Sequence, residues 1–362
     1  MERTNAYSLL DFLDNSPCNF FATATIQRYL DDNGFQELKQ SERWNLEKGG
    51  KYYVKKNDTA IFGFVIGETP LDQSGFNMIS AHSDSPCFRI KPNPEMLADG
   101  VLKLNTEVYG GPILYTWFDR PLSLAGRVIV RNPQNPARPI TKLIDFASPV
   151  LIIPHLAIHF NRNVNAGNPL SKQKDMLPIA AIVSDSMSKN NFLIDQIKER
   201  LEIADSKDIL DFDLMLYNCQ KSQLVGFNKE FICSGRIDDL SMAHAALSAL
   251  LNSDNPATTK VMAIFDNEET GSGTKQGAAS PVLASILHRV STCMGLDDEG
   301  FYQALSRSFL VSADNAHAAH PNYPEKYDPT NHPKMGGGPV IKINANCKYM
   351  TDAHSSAIFK EV

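Results

Sequence analysis

Val261-Met262-Ala263-Ile264-Phe265-Asp266-Asn267-Glu268-Glu269 joins an apolar run to an acidic cluster. Five apolar residues in a row, closed off by polar chain, predict a short buried strand. The four residues after it put three carboxylates at its carboxyl end. Two other stretches repeat the pattern. Asn77-Met78-Ile79-Ser80 runs into His82-Ser83-Asp84, and Phe309-Leu310-Val311 runs into Asp314-Asn315-Ala316-His317-Ala318-Ala319-His320. Ligands of open α/β sheets gather beyond the carboxyl ends of the strands. Taken singly, the three clusters read as a satisfied histidine, a solvated acidic turn and an Asp helix cap. Three strands delivering imidazoles and carboxylates to one sheet edge point instead to a metal site.

The rest of the chain supplies the frame. Apolar spacings of three and four predict helices over 8–13 and 20–30, and alternating runs predict strands over 51–54, 59–66 and 77–80. From 93 to 226 the texture turns β-rich, with strands expected at 102–108, 113–118, 126–131 and 150–153. Turns such as Asn132-Pro133-Gln134-Asn135-Pro136 separate them, and one amphipathic helix is expected over 191–203. Beyond 226 the pattern alternates. A helix over 239–252, strands at 261–265, 308–311 and 339–343, a helix over 280–294 and a last helix from 350 predict an α/β sheet with helices on both faces. The expected organisation is an α/β domain in two parts, 1–92 and 227–362, interrupted by a mostly β insertion, 93–226.

A length of 362 residues suits about two domains. Lys+Arg number 35 against 41 Asp+Glu, and the net charge of −6 without a long basic run disfavours nucleic acid or an anionic membrane as partner. No apolar run nears the roughly 20 residues of a membrane span, and the first residues lack the features of a secretory signal. Six scattered cysteines without a Cys-x-x-Cys pair suit reduced thiols. The expected location is the cytoplasm.

The residue types fit zinc, which takes imidazole nitrogen and carboxylate oxygen and leaves a position open for water in catalytic sites. An Asp two residues after His82, namely Asp84, can hydrogen-bond the other imidazole nitrogen. Glu268 and Glu269 can divide the work of general base and ligand. Asp238 or Asp239, before a helix, can bridge two metals about 3.5–4 Å apart. Gly271-Ser272-Gly273-Thr274-Lys275-Gln276-Gly277 matches no phosphate-binding spacing. His244 and His288, both in expected helices, read as core or cap residues.

These residues bring the chain to a family. Ser80-Ala81-His82-Ser83-Asp84-Ser85-Pro86-Cys87, the stretch from Trp117 to Val128, and Ile153-Pro154-His155-Leu156-Ala157-Ile158-His159 resemble motifs of the M18 metallo-aminopeptidases, the aspartyl aminopeptidase family. Arg236-Ile237-Asp238-Asp239-Leu240, the stretch from Asp266 to Ser272, and the stretch from Ser312 to Tyr323 continue the likeness in the family's order. The resemblance implies a three-layer α/β zinc-peptidase domain interrupted by a dimerisation domain, dimers assembled into a tetrahedral dodecamer, and two Zn2+ per subunit. It casts His82 and Asp314 as ligands of one metal, Glu269 of the other, and Asp238 as the bridge. Glu268 becomes the general base and Asp84 the partner of His82. Substrate-binding positions fall on His159, His317, Lys342 and Tyr349, with His159 reaching a neighbouring subunit. Peptides are the substrates this implies, with an N-terminal Asp or Glu preferred.

The family pattern runs on past Val362 and carries a late histidine, the remaining ligand of the second zinc, which residues 1–362 do not contain; His354 matches a different part of the pattern. The expectation is a truncated member with an incomplete second site. Two rivals share the residues: a related dinuclear hydrolase of deacylase or carboxypeptidase type, and a non-catalytic assembly subunit.

Overall fold

The computed structural model describes residues 2–183 and 190–362. Two units, Met1–Ala313 and Asp314–Val362, each hold together by their own contacts. The first begins with helices α1 (Glu2–Asp14) and α2 (Asn19–Asp32) and strands β1 (Gln36–Glu37), β2 (Lys51–Lys56) and β3 (Ala60–Val65). The short helix α3 (Leu71–Ser74) leads to β4 (Phe76–His82), after which come β5 (Cys87–Ala98), β6 (Val101–Tyr109), β7 (Leu122–Val130) and β8 (Ile140–Asp145). Helix α4 (Lys172–Asp175), β9 (Ile179–Ile182), α5 (Phe192–Arg200), β10 (Ile209–Asn218), β11 (Gln223–Val225) and β12 (Phe231–Cys233) follow. Then α6 (Ile237–Asn252), β13 (Thr259–Phe265), α7 (Val282–Cys293), α8 (Asp298–Ser306) and β14 (Phe309–Ser312) complete the unit.

Strand alternation builds the first sheet, ordered β1-β2-β3-β13-β4-β14. Successive side chains of a strand point to opposite faces. Phe62, Phe64, Val261, Ala263 and Phe265 therefore share one face, where they pack on Val282, Ile286, Leu287 and Val290 of α7 and Phe301 of α8. Tyr53, Ile61, Met262 and Ile264 face the other way, onto Phe12, Ile26, Leu30, Leu240 and Leu247 of α1, α2 and α6. The result is three layers. β13 runs parallel to β4 with Phe265 beside His82, and β14 runs parallel to β4 with Ser312 beside Ser80. All three strands thus end at one edge.

The second sheet, β8-β7-β10-β5-β6-β9, is antiparallel throughout. It buries Phe88, Ile90, Leu104, Leu124, Val128 and Leu214 with Leu193 and Ile197 of α5. Its strands come from a single span, 87–218, which starts six residues ahead of the expected boundary because Cys87 already pairs with Tyr109. The sequence hides β5 behind Pro92 and Pro94, which sit where the pairing register slips between Ile90 and Glu95.

Three expected strands are corrected. Residues 113–118 form a 3-10 turn, Leu114–Trp117, which sets Trp117 edge-on to Phe88 at 4.9 Å. Residues 150–153 make only single bridges, such as Leu122 to Leu151 and Ile152 to Ile179. Residues 339–343 lie without regular structure in the second unit, with Val340 and Ile343 exposed instead of paired. That unit is mostly turns around the 3-10 helix Pro324–Lys326 and helix α9 (Ala353–Glu361), whose cap Asp352 forms a capping box with Ser355. His244 accepts its core role, 2.9 Å from Ser8 Oγ and against the Phe12 ring, and His288 pairs with Asp298 at 3.0 Å.

Phe62 tests the layered core. It is fully buried and meets Phe265 edge-on at 5.4 Å. Phe62→Ala should lower stability by about 3–5 kcal/mol in denaturant titration, whereas Met350→Ala, at a 94% exposed position, should stay within about 0.5 kcal/mol. Equal losses would refute the core assignment.

Candidate metal centre

His82 is the last residue of β4 and is buried. Its backbone N–H donates to Asp239 Oδ2 at 3.0 Å. Its Nδ1 lies 3.2 Å from Asp84 Oδ1 and 3.1 Å from the Asp84 carbonyl. Its Nε2 faces Asp238 Oδ1 at 3.6 Å, Asp239 Oδ2 at 3.9 Å and Glu268 Oε2 at 3.9 Å.

Asp238 and Asp239 open α6 with non-helical backbone, and the peptide between them is cis. Arg236 anchors their approach. It is itself left-handed at φ 60°, and its half-buried guanidinium donates to the carbonyls of Ser16 and Leu13 at 2.9 and 3.1 Å. Those carbonyls lie at and just beyond the end of α1, which cannot satisfy its last acceptors internally.

Glu268 and Glu269 follow β13 in a turn that is tied to itself. Asn267, left-handed at φ 62°, starts it, and Ser272 N–H returns to the Asn267 carbonyl at 2.8 Å. Ala279 N–H donates to the Ser272 carbonyl, and a Cβ at Gly277 would sit 2.2 Å from Ser272 O. Buried Asp266 accepts from Asn19 Nδ2 at 3.0 Å and from Asn267 N–H at 2.8 Å. The Asp84 carboxylate then gathers the turn. It accepts the N–H groups of Glu268 and Glu269, each at 3.2 Å, and the Tyr109 hydroxyl at 2.7 Å.

Charge follows from this packing. Burial works against a charged His82, but Asp238, Asp84 and Asp239 overcome it and push the imidazole up to about 11. Burial likewise opposes the Asp84 charge, yet hydrogen bonds from His82 and Tyr109 hold that carboxyl below the usual range. Burial, offset by His82 and reinforced by Asp238, Asp84 and Glu268, pushes Glu269 up to about 7. Such a surplus of carboxylates around one imidazole suits a cation. Donor atoms of His82, Asp238 and Asp239 lie within 4.8 Å of one another, as do those of His82, Glu268 and Glu269. An all-N/O donor set of this kind fits zinc.

The structure thus brings together His82, Asp84, Asp238, Glu268 and Glu269. Asp314 opens the second unit, where Lys342 Nζ sits 2.9 Å from its Oδ2 and 5.7 Å from the Tyr349 ring centre. His317 is exposed in that unit. His159 is exposed in the 3-10 helix Ile158–Phe160. Sequence reasoning overlooked Tyr109 and Asn267, whose only signals are a strand end before Gly110-Gly111 and an Asn inside an acidic run.

A buried imidazole ringed by carboxylates at the carboxyl edge of an α/β sheet defines a metal-dependent hydrolase. The family described as Aminopeptidase I zinc metalloprotease (M18) matches residues 12–362, and the chain belongs to it. It is a metallo-aminopeptidase. The chain is 51% identical to the probable M18 family aminopeptidase 2 of Clostridium novyi, over 98% of its own length and 82% of the relative's. Its likeness to the Clostridium acetobutylicum protein of the same description is 50% identity, over 99% and 82%. A chain of the Ape4 and Nbr1 complex solved by cryo-EM superposes with a TM-score of 0.93 at 35% identity, covering 99% of this chain and 72% of that one. Family membership sets aside the deacylase and carboxypeptidase rival.

The raised His82 and Glu269 must both lose a proton before they can ligate, so metal uptake releases protons. At pH 5.5–6.5 both hold them, and above pH 8 only His82, near 11, still does. Zinc affinity, read by chelator competition, should rise about a hundredfold per pH unit in the lower range and about tenfold per unit from pH 8 to 9. A pH-independent affinity would exclude these two ligands.

Proposed function

We propose that the protein removes N-terminal residues from peptides at the His82 centre, with Glu268 as general base and Asp84 orienting His82. The arrangement that carries this reading is Asp84, which hydrogen-bonds the imidazole and both backbone N–H groups of the Glu268-Glu269 turn. His82, Asp238 and Glu269 are the zinc-holding residues of this reading, with Asp314 added by family likeness alone. When bound there, zinc supplies a Lewis acid for the scissile carbonyl and brings the pKa of water toward about 7. Glu268, its side chain half-exposed, takes the proton from the attacking water and returns it to the departing amine.

His317 and a neighbour's His159 contact the carbonyl region of the substrate. Lys342, a half-buried cation beside Tyr349, favours an acidic first residue. The block 93–226 serves as the dimerisation domain between the catalytic parts 1–92 and 227–362, and dimers assemble into a dodecamer. In support, Ile113, Leu156, Ile158 and Phe160 leave apolar side chains on its surface. The enzyme works in the cytoplasm. All six cysteines are free, and among the described residues no helix is long and apolar enough to cross a membrane.

Glu268→Gln should lower kcat by about 10²–10⁴ while zinc per chain, by atomic absorption, equals that of the unaltered protein. Near-native turnover would remove Glu268 as base. A panel of N-terminal Asp, Glu, Leu and Ala substrates reads the preference, and Leu as the best substrate would overturn the acidic assignment. No bound zinc after incubation with excess zinc would support the assembly-subunit reading instead.

A further inference from the structure

We infer that the Tyr109 hydroxyl, supplied by the second sheet, is a positioning group for the aminopeptidase reaction, holding in place the Asp84 carboxylate that orients His82 and the Glu268-Glu269 turn. The inference rests on His82 being a ligand. Asn267 Oδ1 accepts from Thr274 Oγ1 and Gln276 Nε2, both at 2.8 Å, which leaves Asn267 Nδ2 toward Tyr109 as donor at 2.8 Å. A phenol has one hydrogen to give. With its oxygen already accepting from Asn267, Tyr109 sends that hydrogen to Asp84 Oδ2 at 2.7 Å.

Asp84 therefore acts purely as acceptor, with the Glu269 N–H on the same oxygen and the Glu268 N–H on Oδ1. His82 Nδ1 lies against two acceptors, Asp84 Oδ1 at 3.2 Å and the Asp84 carbonyl at 3.1 Å. It must carry a hydrogen, and Nε2 is the nitrogen left for the metal. A second contact reinforces the first. Gly110, at φ 69°, lies so close to the turn that a Cβ there would come within 3.0 Å of Glu269 Cβ. The end of β6 thus holds the Glu268-Glu269 turn through Asp84 and Asn267 on one side and by direct contact on the other.

Tyr109→Phe keeps the ring and removes the hydrogen. Using the best substrate from the panel above and zinc competed against a chelator, kcat should fall about ten- to hundredfold with KM within about twofold, and the zinc dissociation constant should rise at least about tenfold. Tm should stay within about 4 °C. A purely structural role would lower Tm and leave zinc affinity and kcat per folded chain unchanged, and that result overturns the proposal. His82→Ala is measured in parallel. If it keeps zinc, the ligand reading itself fails; if it loses zinc while Tyr109→Phe keeps wild-type kcat and affinity, the Tyr109 role alone fails. The double variant Thr274→Val/Gln276→Met, which releases Asn267 from outside, should show the same split in milder form. Should Tyr109→Phe not fold, wild-type behaviour in that double variant overturns the proposal.

Discussion

A buried carboxylate has to be satisfied, and at this centre that carboxylate is Asp84, 1% exposed. Leaving an ion unpaired in the interior costs several kcal/mol. Asp84 meets the demand with donors from three places: the imidazole ending β4, the hydroxyl ending β6, and two backbone N–H groups after β13. These donors come from three different places in the chain, so satisfying one charge fixes three segments against one another. The metal-facing groups inherit their geometry from that fixed frame, because His82 and the Glu268-Glu269 turn are two of its members.

The two six-stranded sheets of the first unit meet through a second contact besides Tyr109. Arg127 on β7 pairs with Asp213 of β10 at 2.8 Å and also donates to the Asn57 carbonyl, in the hairpin joining β2 and β3. Its guanidinium lies 4.9 Å from the Phe20 ring of α2. The planar group does three jobs at once: ion pair, hydrogen bond and ring contact. The β-rich block is therefore held to the α/β sheet both near the centre and away from it.

Much of this was legible in the sequence, for a definite reason. Val261 to Phe265, Asn77 to Ser80 and Phe309 to Val311 are apolar, short and bounded by polar clusters, so strand, edge and ligand candidates could be read from local pattern. What escaped was set by tertiary partners. β5 carries two prolines and a register slip, and Leu114–Trp117 looks β-like in composition yet curls to bring Trp117 onto Phe88. Val340 and Ile343 have the composition of a strand but lie exposed and without regular structure. Tyr109 could not be found by pattern at all, because a tyrosine at a strand end is ordinary and its partners are 25 and 158 residues away.

The turn that carries the two glutamates closes on itself through Asn267, Ser272, Gly277 and Ala279. A segment so bound has almost no slack for insertion or deletion, and its amino-acid alphabet is narrow at each left-handed position. Anyone reshaping this enzyme for a new peptide should freeze that segment in the library. Diversity belongs in exposed loops whose backbone has room to move, where altered recognition need not compete with the catalytic frame.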